Sequence, residues 1–329
     1  MQAWVLKDSP GDYVWDEVPD PIPGPGDVRV KVVTSALNHM DLWVTQGKPR
    51  PHLPHVPGCD VAGVIDMVGE GVSADLVDTE VVVNPAVSCR RCRVCLSGES
   101  PLCKQFQITG EHRWGGHGTW IVVPAENVTP RPQNLSWEQS AAFGLATLTA
   151  WRMLRRGRLR AGETVLIVGV GGGVSSAALS LAKSMGAHVI ITSRDATKRA
   201  RALELGADEA VDSQSQRWDV SADLVIESVG PATWENSVRS LRPGGRLVVC
   251  GGTSGPSVEI SLPRLFFKQH EIIGSTMGSY EEWAQVVELM EQDVAIVVDQ
   301  VFKLSEYPEA LSRLEKGDQL GNIVLSHQT

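Results

Sequence analysis

Four of the six cysteines crowd between positions 89 and 103: Cys89, Cys92, Cys95 and Cys103. The spacing C-x2-C-x2-C-x7-C lets four thiolates converge tetrahedrally on one zinc ion from a single loop. Four thiolates also close the coordination sphere, leaving no position for water or substrate, so such a zinc is structural. An iron–sulfur cluster is the competing reading, but the last gap is longer than in the bacterial ferredoxin run, and Lys104 rather than proline follows Cys103. Four unligated thiols fit poorly in a segment as polar as SCRRCRVCLSGES, because free cysteine behaves as a small buried hydrophobe.

A second constellation is the turn Gly169-Val170-Gly171-Gly172-Gly173-Val174-Ser175, set between the strand pattern TVLIV and a helical pattern. Glycines let a phosphate approach the backbone, and the N–H groups and dipole of a helix start favour its negative charge. The turn departs from G-x-G-x-x-G, since the last small residue falls one place late and is Ser175. Its place in a strand–helix series identifies Gly169, Gly171, Gly172, Gly173 and Val174 as nucleotide-binding candidates. At the end of the next strand an acidic residue would bind the ribose hydroxyl of NAD, whereas Ser193 and Arg194 stand here, with Lys198 and Arg199 beyond. A 2′-phosphate suits them, so NADP(H) is preferred over NAD(H); the alternative is a solvated basic helix face.

The elements that must position these residues follow from length and pattern. With 329 residues, two domains are expected. Hydrophobic residues at 42% and charged residues at 21% describe a packed globular protein, not a disordered chain. A net charge of −9 without a long Lys/Arg run argues against nucleic acid as partner. The N-terminus lacks a secretory layout, and the longest uncharged run, from Thr164 to Ala182, reads as strand, turn and helix rather than a membrane span. A cytoplasmic protein is expected. Up to about Val123, short β-rich runs such as VRVKVV alternate with Pro- and Gly-rich loops. A helix is read from Ser136 through WEQSAAFGLATLTAWRML. Beyond it strands and helices alternate, which means a parallel sheet covered on both faces. After Gly278 the chain is too short for a third domain and is expected to return to the first. The expected division is therefore residues 1–125 with 279–329, and residues 126–278, with a ligand cleft between them.

A cysteine lobe followed by a glycine-turn βαβ domain resembles the medium-chain dehydrogenase/reductase superfamily, the zinc-containing alcohol dehydrogenase family. The resemblance spans the whole chain, through GDVRVKVVTSALNHMDLWVTQG, VPGCDVAGVIDMVGEGV, GGHGTWIVVPAENV, LRPGGRLVVCGGTSG and GNIVL. It implies an α/β protein with a GroES-like catalytic domain, a doubly wound Rossmann domain, and hydride transfer to or from a small molecule. Family alcohol dehydrogenases hold a second, catalytic zinc by Cys, His and Cys. Those positions align here with Asn38, Cys59 and Leu145, and the hydroxyl residue that relays the proton aligns with Met40.

The chain is thus most similar to the zinc-independent branch, the quinone oxidoreductases and enone or enoyl reductases, which share N-x-x-D-L. That branch implies NADPH-dependent reduction of a carbonyl-conjugated alkene, a quinone or an acyl-CoA thioester. In that reading Asn38 polarises the substrate oxygen or positions the nicotinamide, while Asp41 and Asp60 shape a polar floor. Turn or helix capping by Asn38 and Asp41 is the plain alternative. Two other functions stay open: an alcohol or aldehyde dehydrogenase whose metal is held by His52, His55, Cys59 and Asp60, and a nucleotide-binding protein without chemistry. In the proline-stiffened segment PRPHLPHVPGCD, solvated histidines are the simpler expectation; His112 and His117 either border the cleft or lie on the surface. The family commonly forms dimers, and QHEIIGSTMG reads as a sheet-edge strand able to pair with a second copy.

Overall fold

The computed structural model describes residues 1–292 and 294–328. The chain divides into two compact units, one holding Met1–Ala146 and most of the chain after Gly278, the other holding Thr147–Met277 with Val294–Ile296. The boundary expected at residue 126 therefore moves to 146. The reason is pairing: strand Val128–Pro130 joins Glu80–Val83 antiparallel, and Thr34 Oγ1 donates to the Trp137 carbonyl at 2.7 Å, tying helix Trp137–Ala142 to the first unit.

The first unit is built on a seven-stranded sheet running Val298–Lys303, Asn322–Ser326, Asp27–Ala36, Asp60–Val68, Glu80–Val83 and Val128–Pro130, with Trp120–Pro124 also paired to Asp27–Ala36. The long strand Asp27–Ala36 shows why the sheet closes on a core. Its β-branched residues Val28, Val30 and Val32 alternate inward and meet Val61, Ile65, Val81, Val83, Ile121 and Val123, all buried. Each such side chain contributes about 1.5–3 kcal/mol by burial. The last strand lies antiparallel on Asp27–Ala36 with Leu325 opposite Ser35, which brings the C-terminal segment beside the end of that strand.

In the second unit six strands are all parallel: Thr164–Ile167, His188–Ser193, Glu209–Asp212, Ala222–Glu227, Leu241–Val249 and Glu271–Gly274. Their spatial order is third, second, first, fourth, fifth, sixth, the doubly wound arrangement in which dinucleotides bind where the order reverses. The glycine turn lies at that reversal, because Val168 N, just after the first strand, donates to Ile226 O of the fourth at 3.0 Å. Strand Glu271–Gly274 is the sheet edge. Among the described residues no helix is long and apolar enough to cross a membrane.

One helix expected as continuous is two, Trp137–Ala142 and Gly144–Arg156, parted at Phe143. What separates them is a buried carboxylate of the neighbouring sheet.

Candidate functional site

The four cysteines come together as their spacing predicts. A short helix, Arg93–Leu96, starts at Cys92, and a turn over Ser100–Leu102 returns the chain to Cys103. Sulfur separations are 3.5 Å for Cys92–Cys95 and Cys89–Cys103, and 3.9 Å for Cys89–Cys95 and Cys92–Cys103. A tetrahedral zinc with Zn–S bonds of about 2.3 Å needs sulfurs about 3.8 Å apart, so the cluster fits a structural zinc without rearrangement. The backbone N–H groups of Arg91 and Cys92 donate to Cys89 Sγ, and that of Gln105 to Cys103 Sγ at 3.3 Å, an outer layer that orients thiolate ligands.

In the nucleotide turn the expected residues divide the work. Gly169, at φ +75°, donates its N–H to Thr192 Oγ1 at 3.0 Å, Val170 N donates to Thr192 O at 2.7 Å, and Gly171 N to Ser175 Oγ at 3.2 Å. These groups shape the turn. Helix Gly173–Ser184 follows, so the N–H groups left for an anion are those of Gly172, Gly173 and Val174. A Cβ at Gly172 would meet nothing within 4 Å, so a ligand can approach the backbone there.

Ser193 ends the second strand buried, and Arg194 beside it is exposed. The nearby carboxylate of Asp195 is committed to capping, accepting from Thr197 N at 2.7 Å and Lys198 N at 3.1 Å. Arg199 is likewise engaged, donating to Ser193 O at 2.6 Å and pairing with Asp212 at 3.4 Å. Lys198 stands half-buried in the first turn of that helix.

In the first unit the structure assembles Asn38, Asp41, Cys59 and Asp60. Asn38 is the N-cap of helix His39–Thr45, and its backbone N–H donates to Asp41 Oδ2 at 2.7 Å. Capping and site membership therefore coexist. The other Asp41 oxygen accepts from Gly58 N at 3.2 Å. Asn38 Nδ2 donates to Cys59 Sγ at 3.1 Å and to Asp60 Oδ2 at 2.8 Å, and Leu145 N donates to Asp60 Oδ1 at 2.6 Å. This last bond explains the split helix: the N–H groups that begin Gly144–Arg156 have no intrahelical acceptor and point at the carboxylate. Position 144 must be glycine, since a Cβ would lie 2.1 Å from Asp60 Oδ1. Met40 is buried among Leu6, Val44 and Cys59.

Burial dominates the titration of these groups. It raises Asp41 to about 7, opposed by the Asn38 and Gly58 N–H groups, and Asp60 to about 6, opposed by Leu145 N–H and Asn38. Burial and the two carboxylates push the Cys59 thiol well above its ordinary value.

The histidines depart from expectation. His55 is buried, with Nε2 2.8 Å from Gly110 O, rather than solvated. His117 is neither superficial nor bordering solvent: it is fully buried, its Nδ1 2.9 Å from Ser35 Oγ, which in turn lies 2.8 Å from His327 Nε2. His52 is exposed, and His112 is 40% accessible. Among the described residues the four cysteines form the one group of His, Cys, Asp and Glu side chains placed to hold a metal, so His52 and His55 do not join Cys59 and Asp60. Sequence reading missed the Ser35–His117–His327 chain; its trace is Gly58, at φ +96°, where a Cβ would lie 2.4 Å from His117 Nδ1.

Comparisons with known proteins agree with this architecture. Residues 24–133 match the family model of an alcohol dehydrogenase GroES-like domain, and residues 173–292 that of a zinc-binding dehydrogenase. The chain is similar to an alcohol dehydrogenase of Geobacillus stearothermophilus, 30% identical over 99% of both chains. It is similar also to an acryloyl-coenzyme A reductase of Metallosphaera sedula, 30% identical over 99% of this chain and 100% of that one. Among solved structures, an NAD-dependent alcohol dehydrogenase shares 38% identity over 100% of both chains, with a TM-score of 0.94.

Two tests follow from the geometry. Cys92→Ser should strip the structural zinc, read as metal per chain by mass spectrometry, and lower the melting temperature; retained zinc would show that the cluster is not its site. Burial holds His117 well below the ordinary imidazole range and His327 down to about 3, so both are accommodated neutral. Their stabilising contribution is complete above the free value of about 6.5 and is lost as pH falls below it. The raised carboxyls act oppositely, costing stability as pH rises through about 6 to 7. His327→Gln should therefore lose less melting temperature than wild type between neutral and mildly acidic pH; parallel curves would refute the assignment.

Proposed function

The chain belongs to the medium-chain dehydrogenase/reductase family of zinc-binding, alcohol dehydrogenase-like oxidoreductases, and from that premise we propose that it is an NADPH-dependent reductase of activated alkenes, quinones or enoyl thioesters, working without a catalytic zinc. The observation that carries this reading is the side-chain set at the family's catalytic-metal positions. Asn38 is an amide bonded to Cys59 and Asp60, Cys59 is held as a thiol between carboxylates, and Leu145 contributes a backbone N–H where a ligand would stand. Neither an amide nitrogen nor a leucine side chain is a zinc ligand, which leaves Cys59 as the one ligating side chain at the three positions.

When bound, the nicotinamide supplies the hydride. Gly172, Gly173 and Val174 offer N–H groups to the cofactor phosphates, and Arg194 stands exposed for a 2′-phosphate while Asp195 is occupied as a cap. Hydride addition to a conjugated carbon places charge on an enolate oxygen, which hydrogen bonding stabilises where a carbonyl reduction would call for a Lewis acid. Asp41 and Asp60 hold protons close to neutral pH beside Asn38. Asn38, with both amide N–H groups spent on Cys59 and Asp60, positions rather than polarises.

The similarity to an acryloyl-coenzyme A reductase supports an enoyl thioester among the substrates. Similarity to alcohol dehydrogenases supports the second reading, oxidation of an alcohol through an unorthodox metal. The proposal includes a homodimer through the edge strand Glu271–Gly274, which has the exposed side chains Leu262, Phe266 and Phe267 just before it in the chain.

A screen of NADPH and NADH oxidation against enones, quinones, enoyl-CoAs and aldehydes decides the matter. Enone, quinone or enoyl-CoA turnover with one zinc per chain is expected; aldehyde turnover with two zincs would establish the dehydrogenase instead. Arg194→Ala should raise the KM for NADPH about tenfold, the worth of a charge-assisted hydrogen bond, and leave that for NADH unchanged. Equal effects on both cofactors would remove Arg194 from 2′-phosphate recognition.

A further inference from the structure

A cavity of about 190 Å3 lies within the first unit, lined by Pro21, Arg113, Trp114, Trp120, Ile121 and Val122. None of these residues belongs to the group around Asp60 or to the cysteine cluster. Two indoles, a proline ring and two aliphatic side chains make its walls apolar, and one guanidinium makes it cationic.

The walls are fixed by bonds outside the cavity. Strand Trp120–Pro124 buries Ile121 and Val123 and turns Trp120 and Val122 to its other face, as the alternation of a strand dictates. The guanidinium of Arg29 lies over the Trp120 ring at 4.9 Å and donates to the Pro21 carbonyl at 3.4 Å, so one side chain ties two walls together. Trp114 is oriented by its indole N–H, which donates to Pro54 O at 2.7 Å. The residues after it are pinned by Gly115 N to Val56 O at 2.7 Å and Gly116 N to Gly58 O at 2.8 Å. Position 115 must be glycine for that approach, since a Cβ would lie 2.2 Å from Gly58 O. A cavity framed in this way exists before a ligand arrives, and binding there spends little on ordering loops.

The two arginines differ in their partners. Arg29 is neutralised by Asp66, whose oxygens accept from Nε and Nη2 at 2.9 Å each. Arg113 is half-buried, and among the described residues its guanidinium has neither a hydrogen bond nor an ion pair. A guanidinium is permanently charged and presents its donors as a planar fork that matches a carboxylate. Indole faces attract cations as well, but the charge of Arg113 repels one from this cavity. No other charged side chain lines it, which suits a monoanion rather than a dianion. The volume is below the roughly 300 Å3 at which sites for drug-sized ligands begin, so it holds a single ring.

We propose that this cavity is a binding site for a small aromatic monocarboxylate, with its ring against the Trp114 and Trp120 indoles and its carboxylate on Arg113. The site is independent of the nicotinamide cofactor.

Benzoate and benzamide make a matched pair of probes, equal in shape and differing in charge. Titrated into the whole protein at neutral pH and followed by calorimetry, benzoate should bind with a Kd on the order of 1 mM. Benzamide should bind about tenfold more weakly, the worth of a charge-assisted hydrogen bond. Arg113→Gln should bring the two probes to equal affinity. Saturating NADP+ should leave benzoate binding unchanged. A second readout uses wild type alone: of the ten tryptophan indole N–H signals in the NMR spectrum, those of Trp114 and Trp120 should move most on adding benzoate. The inference is overturned by equal affinities in wild type, by undiminished benzoate binding in Arg113→Gln, by competition with NADP+, by larger shifts at other indoles, or by the absence of saturable benzoate binding. Because binding is read without turnover, a protein that reduces no enone can still pass this test, and an active reductase can fail it.

Discussion

A carboxylate with no exposure to water, Asp60, imposes its requirements on two distant stretches of the first unit. An ionised group in such a place costs several kcal/mol unless its lone pairs are met by donors. The donors come from far along the chain: the start of helix Gly144–Arg156, 85 residues away, and the side chain of Asn38, 22 residues away. Supplying the first requires that the helix begin at residue 144, that its predecessor stop at Ala142, and that residue 144 lack a side chain. A single charge thereby sets a helix boundary, a glycine and the orientation of an amide.

The same burial governs the chemistry of the neighbours. Cys59 lies against Asp60 and near Asp41, and both carboxylates oppose formation of a thiolate in addition to the desolvation that burial imposes. A protonated thiol is a weak nucleophile. Asp41 is stabilised differently, by the N–H groups of Asn38 and Gly58, which recover part of what burial costs. His117 Nε2 lies 4.0 Å from Asp41 Oδ2, beyond hydrogen-bond reach, and burial keeps the ring neutral, so the contact is not an ion pair of consequence. These groups form a polar interior in which the proton inventory, rather than a net charge, is what the fold controls.

Features carried by local spacing were legible in the sequence, and features carried by long-range contact were not. The cysteine cluster is written within one loop, and the glycine turn within one strand–helix junction, so each declares its geometry in adjacent residues. The parallel sheet was legible because strand runs such as TVLIV, HVIITS and DLVIESV are separated by helical patterns, whereas the short strand Glu209–Asp212, with no fully buried side chain, was not read. The burial of His55 and His117 was hidden, because a histidine in a Pro- and Gly-rich segment looks solvated until its partners, Gly110 for one and Ser35 with His327 for the other, are brought over it. The break at Phe143 was hidden likewise, since WEQSAAFGLATLTAWRML keeps helical spacing across it and the cause lies in Asp60. The limit of the first unit was misplaced for the same reason, as Val128–Pro130 belongs to a sheet whose other strands are remote in sequence.

This contrast bears on how the two family metal positions differ within one chain. The cysteine cluster draws every ligand from residues 89 to 103, so its fit to zinc depends on that loop alone and stabilises that loop alone. The position of Asn38, Cys59 and Leu145 is assembled from segments that the rest of the fold already holds together by sheet pairing and by the Asp60 bonds. Removing metal ligands from the loop would unmake the structure they organise. On the proposed zinc-free reading, the second position keeps its scaffold provided the polar atoms there satisfy one another. The bonds among Asn38, Cys59, Asp60 and Leu145 meet that condition.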